Sequence, residues 1–544
     1  MRFLILTRLK KNLDFSKNYK YISIFLGPWC LPKGRLEAEG EIIKKKWCKP
    51  NQRKDDFEEI WRIKNIILKK MVPVLNGIHK TNLNKYQWDL IVGYWLYHLV
   101  VVCYERLYRI KKAASKVDYF VSEKPFNKRS NLYYSNSCEA IEGFKTDDWN
   151  SLFIETIIEE LDLIKPKVLG EMCPNIIKDS NNDLFIKKNF QKLKYLAFSF
   201  IKSFIEYLTF IKSTIFNHNS SFLVYKLNIN YLDFLKVIFS LKGRVIFSLP
   251  KINYKFNEEL SKIRNQKINL KNIDSPLMSN DLENILSIMI FKSIPISYLE
   301  NFNSIYKAFI KKSVCKKFTI FSTGAETIDD EFKIFASLSN STNPRLIIGQ
   351  HGSGPIASYI GYDQYRLELS HSYFSPGNGN SLISNKIKNA GQFWARYPKF
   401  YNSNKRKNIL YITTINDRYI IDIRSMANGD YMIDYFENQK KFIENLPKEI
   451  FDNLLLRLYP DDSEWDNKLF LKSLFPNLRI SKRNIKLNTL LSRASLIVTD
   501  YNASTHNESL AAGYPTILFW DDEIWSSHES SKDIFNILRE ANIF

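Results

Sequence analysis

Cysteine is scarce in this chain. Six occur in 544 residues, at positions 30, 48, 103, 138, 173 and 315, and no two form a CxxC pair. That excludes a disulfide-stapled secreted scaffold and argues for free thiols in a reducing compartment. No Cys or His pair has finger-like spacing, so zinc ligation is not expected. Glycine and proline are also sparse, at 18 each. This argues against a long linker-rich or disordered protein. No stretch reaches the ~18 consecutive apolar residues of a membrane span. The most apolar one, residues 90–102, is interrupted by Tyr, His and Gly and runs into Glu105 and Arg106. The short apolar run at residues 3–7 is soon followed by Lys10 and Lys11. It reads as a first strand, not as a signal core. The P-loop, the GxGxxG fingerprint and the GxSxG elbow are all missing. No DxD-type metal motif is evident: Asp329-Asp330, Asp461-Asp462 and Asp521-Asp522 are adjacent pairs of the kind usually solvated in loops. Neither a metal nor a cofactor is expected, and the location expected is cytoplasmic, extending to the inner face of the membrane.

What is present is substantial. With 45% hydrophobic residues, including 38 Phe and 30 Tyr, the chain can bury a sizeable core. Its length suggests about two to four domains. The formal net charge is +22. A Lys-rich solvated surface accounts for this, and so would anionic partners such as phosphorylated donors or lipid headgroups. The basic residues are spread along the chain, with short clusters at residues 44–46 and 405–407. No basic patch interleaved with aromatics stands out, so nucleic acid is not an expected partner.

Hydrophobic patterning predicts strands at residues 408–413, 454–458, 478–480, 496–499 and 516–520. Helices are predicted between them at about 430–446, 466–474, 485–494 and 505–512. Strands alternating with helices indicate a parallel sheet wrapped on both faces, here a Rossmann-like C-terminal lobe over 405–544. Thr505 and Glu508 have the T-x-x-E spacing of a capping box. Gly513 and Pro515 mark the end of that helix. Upstream, strands are predicted at 3–7, 21–26, 245–249, 318–321 and 345–348. A mostly helical region is expected over 56–112, more helix within 149–235, and a helix at 329–338. Residues 1–390 read as one N-terminal α/β lobe with helical insertions, joined through a polar linker at 378–407.

Two loops carry the chemistry. Gln350-His351-Gly352-Ser353-Gly354 follows the strand at 345–348. A neutral imidazole takes a proton from an attacking hydroxyl near neutral pH. Gly352 and Gly354 let backbone approach a ligand and free N–H groups for oxyanions. A tight turn with an incidental His is the alternative. The second loop is Thr499-Asp500-Tyr501-Asn502-Ala503-Ser504-Thr505, leading into a helix. Its free N–H groups, with the hydroxyls of Ser504 and Thr505 and the amide of Asn502, suit a phosphate. Glu508 is placed to accept from sugar hydroxyls, unless it folds back as a cap. Arg457 could pair with phosphate through its planar fork, with Tyr459 beside it to stack on a base and Pro460 ending the strand. Thr413 is a further phosphate contact. Glu326, in Ser322-Thr323-Gly324-Ala325-Glu326, is a rival general base to His351 or a helix-entry acid.

These residues carry a resemblance. Residues 499–504, followed by the strand at 514–519, resemble the C-terminal signature of GT-B-fold polymer-building transferases. CDP-glycerol glycerophosphotransferases show a similar T-D-Y-S-S, an HG loop acting as base and an R-x-H-P motif. Here Tyr459 stands where that motif has His. Over nearly the full length the chain is similar to an uncharacterised family of bacterial surface-polysaccharide transferases, and to capsule transferases of the Kdo and sialic-acid type. The islands are residues 26–30, residues 88–96 with Arg106 downstream, Gln350-His351-Gly352 and Arg457-Leu458-Tyr459-Pro460. The loop after His351 is less glycine-rich than in that family, His371 stands where an acid is expected, and relatives are expected to be longer, ending in a helix that crosses back to the first lobe.

The resemblance implies a GT-B-like α/β fold, with two Rossmann-like lobes around a cleft. It implies a metal-independent glycosyltransferase with a nucleotide-sugar donor, a CMP-activated nonulosonic or ulosonic acid in the first instance. The acceptor would be a cell-surface or lipid-linked glycan, with peripheral contact to anionic membrane. A CDP-alditol phosphotransferase of teichoic-acid type and an inactive basic binding protein are the alternatives.

Overall fold

The computed structural model describes residues 2–8, 22–37, 40–43, 47, 50–122, 131–168, 222–225, 231–242, 244–246, 249, 252, 255–313, 319–339, 345–350, 352, 361–375, 384–390 and 408–544. Their strands form three sheets, every neighbouring pair parallel. The first sheet contains β1 (Arg2–Ile5), β2 (Ile22–Phe25), β3 (Glu41–Ile42), β4 (Tyr119–Ser122) and β5 (Lys165–Val168). The second contains β6 (Phe222–Tyr225), β7 (Val245–Ile246), β8 (Thr319–Ser322), β9 (Leu346–Gly349), β10 (Ser372–Ser375) and β11 (Ile387–Asn389). The third contains β12 (Asn408–Ile412), β13 (Leu454–Arg457), β14 (Arg479–Ile480), β15 (Ala494–Thr499) and β16 (Thr516–Leu518). Counted within each sheet, the first and third run 3-2-1-4-5 and the middle one 6-5-4-3-1-2. All are orders in which the chain starts centrally and reverses once, which leaves a crevice at the carboxyl ends of the strands where it reverses. In the third sheet that crevice lies between β12 and β15.

The α/β reading of the sequence therefore holds, and each strand predicted from patterning has its counterpart. Three details differ. The span 1–390 contains two separate sheets, not one. The helical reading of 149–235 is interrupted by β5 and β6; residues 169–221 lie outside the described residues. The linker expected at 378–407 contains β11, and most of its remainder is likewise outside them.

A helical core joins the sheets. Its helices are α1 (Pro50–His79), α2 (Tyr94–Ala114), α3 (Ser137–Gly143), α4 (Asp147–Glu160), α5 (Asn280–Ser293), α6 (Asp330–Ser339) and α7 (Tyr362–Leu369). The third sheet adds α8 (Tyr431–Glu444) and α9 (Ser504–Ala511). The continuous helical stretch Lys85–Ala114 is long and apolar enough to cross a membrane, but its apolar window is wholly buried in protein. Val100, Val101, Val102 and Cys103 are consecutive and all inaccessible. A helix apolar on every side is a core helix here, which explains the apolar run at 90–102.

The helix α2 also fastens the third sheet to the rest. The segment 415–430, between β12 and α8, is almost entirely buried although it has no regular structure. Buried backbone must find partners, and α2 supplies several. His98 Nδ1 meets the Ile421 carbonyl at 2.8 Å and Arg106 Nη1 donates to the Ile420 carbonyl at 3.2 Å. Arg109 pairs with Asp430 and with Glu105. Gly361, at φ 93, has to be glycine: a Cβ there would stand 2.7 Å from the Ile423 carbonyl oxygen. On the far side Arg53 of α1 donates to the Glu523 and Ile524 carbonyls.

Candidate functional site

The C-terminal edge of the third sheet collects most of the residues singled out from sequence. Arg457 ends β13, half-buried, and one guanidinium nitrogen donates to the Ile485 carbonyl at 2.7 Å. Burial holds its pKa below the usual arginine range, with the Tyr501 phenol opposing that shift. Tyr501 is the hub: it stands within electrostatic reach of Asp500, Glu508 and Tyr459, and its hydroxyl donates to Thr505 Oγ1 at 2.7 Å. Tyr459 is 49% exposed, so its ring is open to a partner. Thr413 is buried just after β12, its N–H bonded to the Arg457 carbonyl at 3.1 Å. Asn502 donates to Ser527 Oγ at 2.9 Å and so ties the loop to the chain after β16.

The helix α9 begins at Ser504, one residue earlier than expected. Ala503 is the N-cap and offers no side-chain bond. The capping box of Thr505 and Glu508 is therefore absent: Thr505 is already in the helix and accepts from Tyr501 instead. The first N–H groups of a helix have no intrahelical acceptor, and among the described residues no side chain caps them here. Glu508 is thereby released from capping. It is partly buried, has no hydrogen-bond or ionic partner among the described residues, and burial alone raises its pKa. The C-terminus of α9 is as expected: Gly513, at φ 76, donates to the Leu510 carbonyl at 2.9 Å, and Tyr514 donates to the Ser509 carbonyl at 3.0 Å. That pair of bonds is a Schellman motif.

Asp500 points the other way, towards α8. It is fully enclosed and accepts from the Tyr411 and Tyr435 hydroxyls, both at 2.6 Å, and from Gln439 at 2.9 Å. Burial outweighs those three donors and lifts its pKa to about 6. A carboxyl with a raised folded pKa contributes stability that is complete below its unfolded value of 3.8 and is lost as pH rises through about 6. Comparing wild type with Asp500→Asn across pH 4 to 7 should show this. The wild type should lose up to about 1.4 kcal/mol per pH unit relative to the variant within that window. Parallel urea midpoints for the two proteins would refute the assignment.

The second cluster lies on the middle sheet. His351, Ser353 and Gly354 are outside the described residues. Gly352 has φ 71 with open space where a Cβ would stand, so the turn itself calls for glycine. Gln350 shapes its approach, donating to the Gly352 carbonyl at 2.9 Å and accepting from Ser375 at 2.6 Å. Glu326 is inaccessible. One oxygen accepts from Arg366 Nε at 2.7 Å; the other accepts from the Ser322 hydroxyl at 2.6 Å and the Gly324 N–H at 3.1 Å. In this arrangement the carboxylate braces the loop after β8, and both oxygens are occupied. Arg366, also inaccessible, reaches the Gly349 carbonyl at 2.7 Å. It thus binds the loop of Glu326 to β9, which His351 follows in the sequence.

Sequence reasoning gave no role to Gln350 or Tyr501, although both lay in plain view within the two loop motifs, and did not pick out Arg366 or the cage of Tyr411, Tyr435 and Gln439. These last act across 40 to 89 residues of chain, where local patterning carries no signal. Among the described residues, no three His, Cys, Asp or Glu side chains gather as metal ligands.

Three parallel sheets packed with helices define an α/β protein. The chain belongs to the LIC12162 family of transferases, whose model matches residues 2–544. A search of the curated proteins finds no match.

Proposed function

We propose that this transferase is a metal-independent glycosyltransferase of GT-B-like design, with the donor nucleotide bound at the C-terminal edge of the third sheet. The observation that carries this reading is Glu508, a partly buried carboxylate without a partner among the described residues, one turn into a helix whose N-cap residue makes no side-chain cap. N–H groups at a helix start favour phosphate, and an unpaired carboxylate beside them accepts from sugar or ribose hydroxyls. Arg457 contributes the charge that neutralises a leaving phosphate, and Tyr459 a ring for the base. His351 is the proposed general base, between Gln350 and Gly352 in the sequence. The donor proposed is a CMP-activated nonulosonic or ulosonic acid, and the acceptor a surface glycan or its lipid-linked precursor at the inner face of the membrane. The +22 charge supports contact with an anionic headgroup surface.

The test is thermal unfolding with CMP, CDP, UDP, GDP and ADP. A nucleotide that binds only the folded state at a hundred times its Kd adds about 2.7 kcal/mol. A cytidine nucleotide should raise the midpoint of the wild type, and Glu508→Ala and Arg457→Ala should each abolish most of the rise. No response to any nucleotide would defeat the proposal.

A further inference from the structure

A cleft of about 560 Å³ lies beside the same edge, between the helical core and the third sheet. Its walls come from Tyr134 and the α3 region on one side and from the loops after β12 and β13 on the other. We propose that this cleft receives the acceptor, as a hydroxyl-rich sugar that carries no negative charge. The inference rests on the glycosyltransferase reading above.

Two independent observations point to this class of ligand. The first is an aromatic platform. Gly143 and Tyr134 both line the cleft, and a Cβ on Gly143 would overlap the Tyr134 ring. The ring therefore lies directly on the backbone of α3, held by the absence of a side chain. A flat ring of this kind meets the C–H face of a sugar, while polar neighbours fix its hydroxyls. The second is the charge of the lining. Glu139, Glu142, Asp417, Asp461 and Glu464 line the cleft beside Lys145 and Arg418; with Arg8, which pairs with Glu464 from outside the lining, counted in, five carboxylates still outnumber three cations, in a protein that is strongly positive overall. All three cations are already engaged: Lys145 with Glu142 and Asp417, Arg418 and Arg8 with Glu464. A phosphate or carboxylate would meet repulsion here, whereas hydroxyls and ammonium groups would find acceptors. The charge thus separates two substrates, the anionic donor on the Arg457 side and a neutral or amine-bearing acceptor in the cleft.

Saturation-transfer NMR on the full chain tests this with three probes of equal length: N-acetylated chitotriose, its de-acetylated amine form, and trigalacturonate. The neutral and amine-bearing trimers should give transfer signals, the amine form the stronger, and trigalacturonate none. Tyr134→Ala should reduce the signals at least five-fold, and Glu142→Gln should lower those of the amine trimer selectively. Both variants should keep the nucleotide-induced thermal shift of the wild type, which also shows that they fold. Preference for trigalacturonate, no signal from any trimer, or signals indifferent to both substitutions would overturn the inference. If nucleotide stabilisation persists in that case, the acceptor site is wrong and the transferase reading stands; if it too is absent, both fall.

Discussion

Arg366→Met is expected to destabilise the protein by about 3–5 kcal/mol, the cost of leaving one member of a buried ion pair behind. Both Arg366 and Glu326 are inaccessible to solvent. Without the guanidinium, Glu326 is left with only the Ser322 hydroxyl and the Gly324 N–H as partners, and Asp363 and Tyr373 also lose a donor. Urea unfolding followed by circular dichroism measures the loss. Glu326→Gln separates the two roles open to this residue. Its amide NH2 would face the Gly324 N–H or the Arg366 guanidinium, donor against donor, so a brace predicts lowered stability with any activity loss explained by unfolding. A general base predicts the reverse, normal unfolding with turnover nearly abolished. A midpoint for Arg366→Met within 1 kcal/mol of wild type, an approximate threshold set by typical single-mutation effects, would mean that the pair contributes little.

The second large effect is catalytic. His351→Ala is expected to slow sugar transfer by about 10²- to 10⁴-fold, the usual contribution of a positioned general base, without diminishing the nucleotide-induced thermal shift. The separation follows from position. The proposed base follows the middle sheet, while the proposed donor groups Arg457, Ser504 and Glu508 belong to the third. Transfer from a CMP-linked donor, assayed by release of CMP, gives the rate. Undiminished turnover would remove His351 from the mechanism. Loss of nucleotide binding together with turnover would make it a donor contact instead.

How much of this was legible in the chain depends on distance along it. The strands of the third sheet, its edges β14 and β16 included, stand in or beside apolar runs between helices, so patterning alone found them. Those overlooked are edges or neighbours of edges. The strand β5 reads Lys165-Pro166-Lys167-Val168 and β11 reads Ile387-Lys388-Asn389. Edge strands are only partly covered, so lysine is tolerated and proline need not donate. Their sequences give no apolar run to detect. Asn502, Ser504, Thr505 and Glu508 stood out in the sequence because they sit together in one loop and one helix turn. Even there, the register of the helix start decided what Glu508 is free to do, and a shift of one residue reversed the expectation. The braces were illegible for a different reason. Arg366 meets Glu326 across 40 residues and Arg109 meets Asp430 across 321, and no local periodicity encodes such a pairing.

The segment 415–430 has a consequence for how the protein is made. Its contacts with α2 join residues 314 to 326 positions apart. At synthesis rates of about 5–20 residues per second, α2 leaves the ribosome roughly 15 to 65 seconds before the segment that satisfies it. During that interval His98, Arg106 and Arg109 lack carbonyl or carboxylate partners that they hold in the finished fold, and the apolar surface around them is uncovered. The N-terminal three-quarters of the chain therefore waits, incomplete, for its last quarter. A truncated product ending before residue 415 should be held by chaperones or degraded rather than accumulate as a folded lobe.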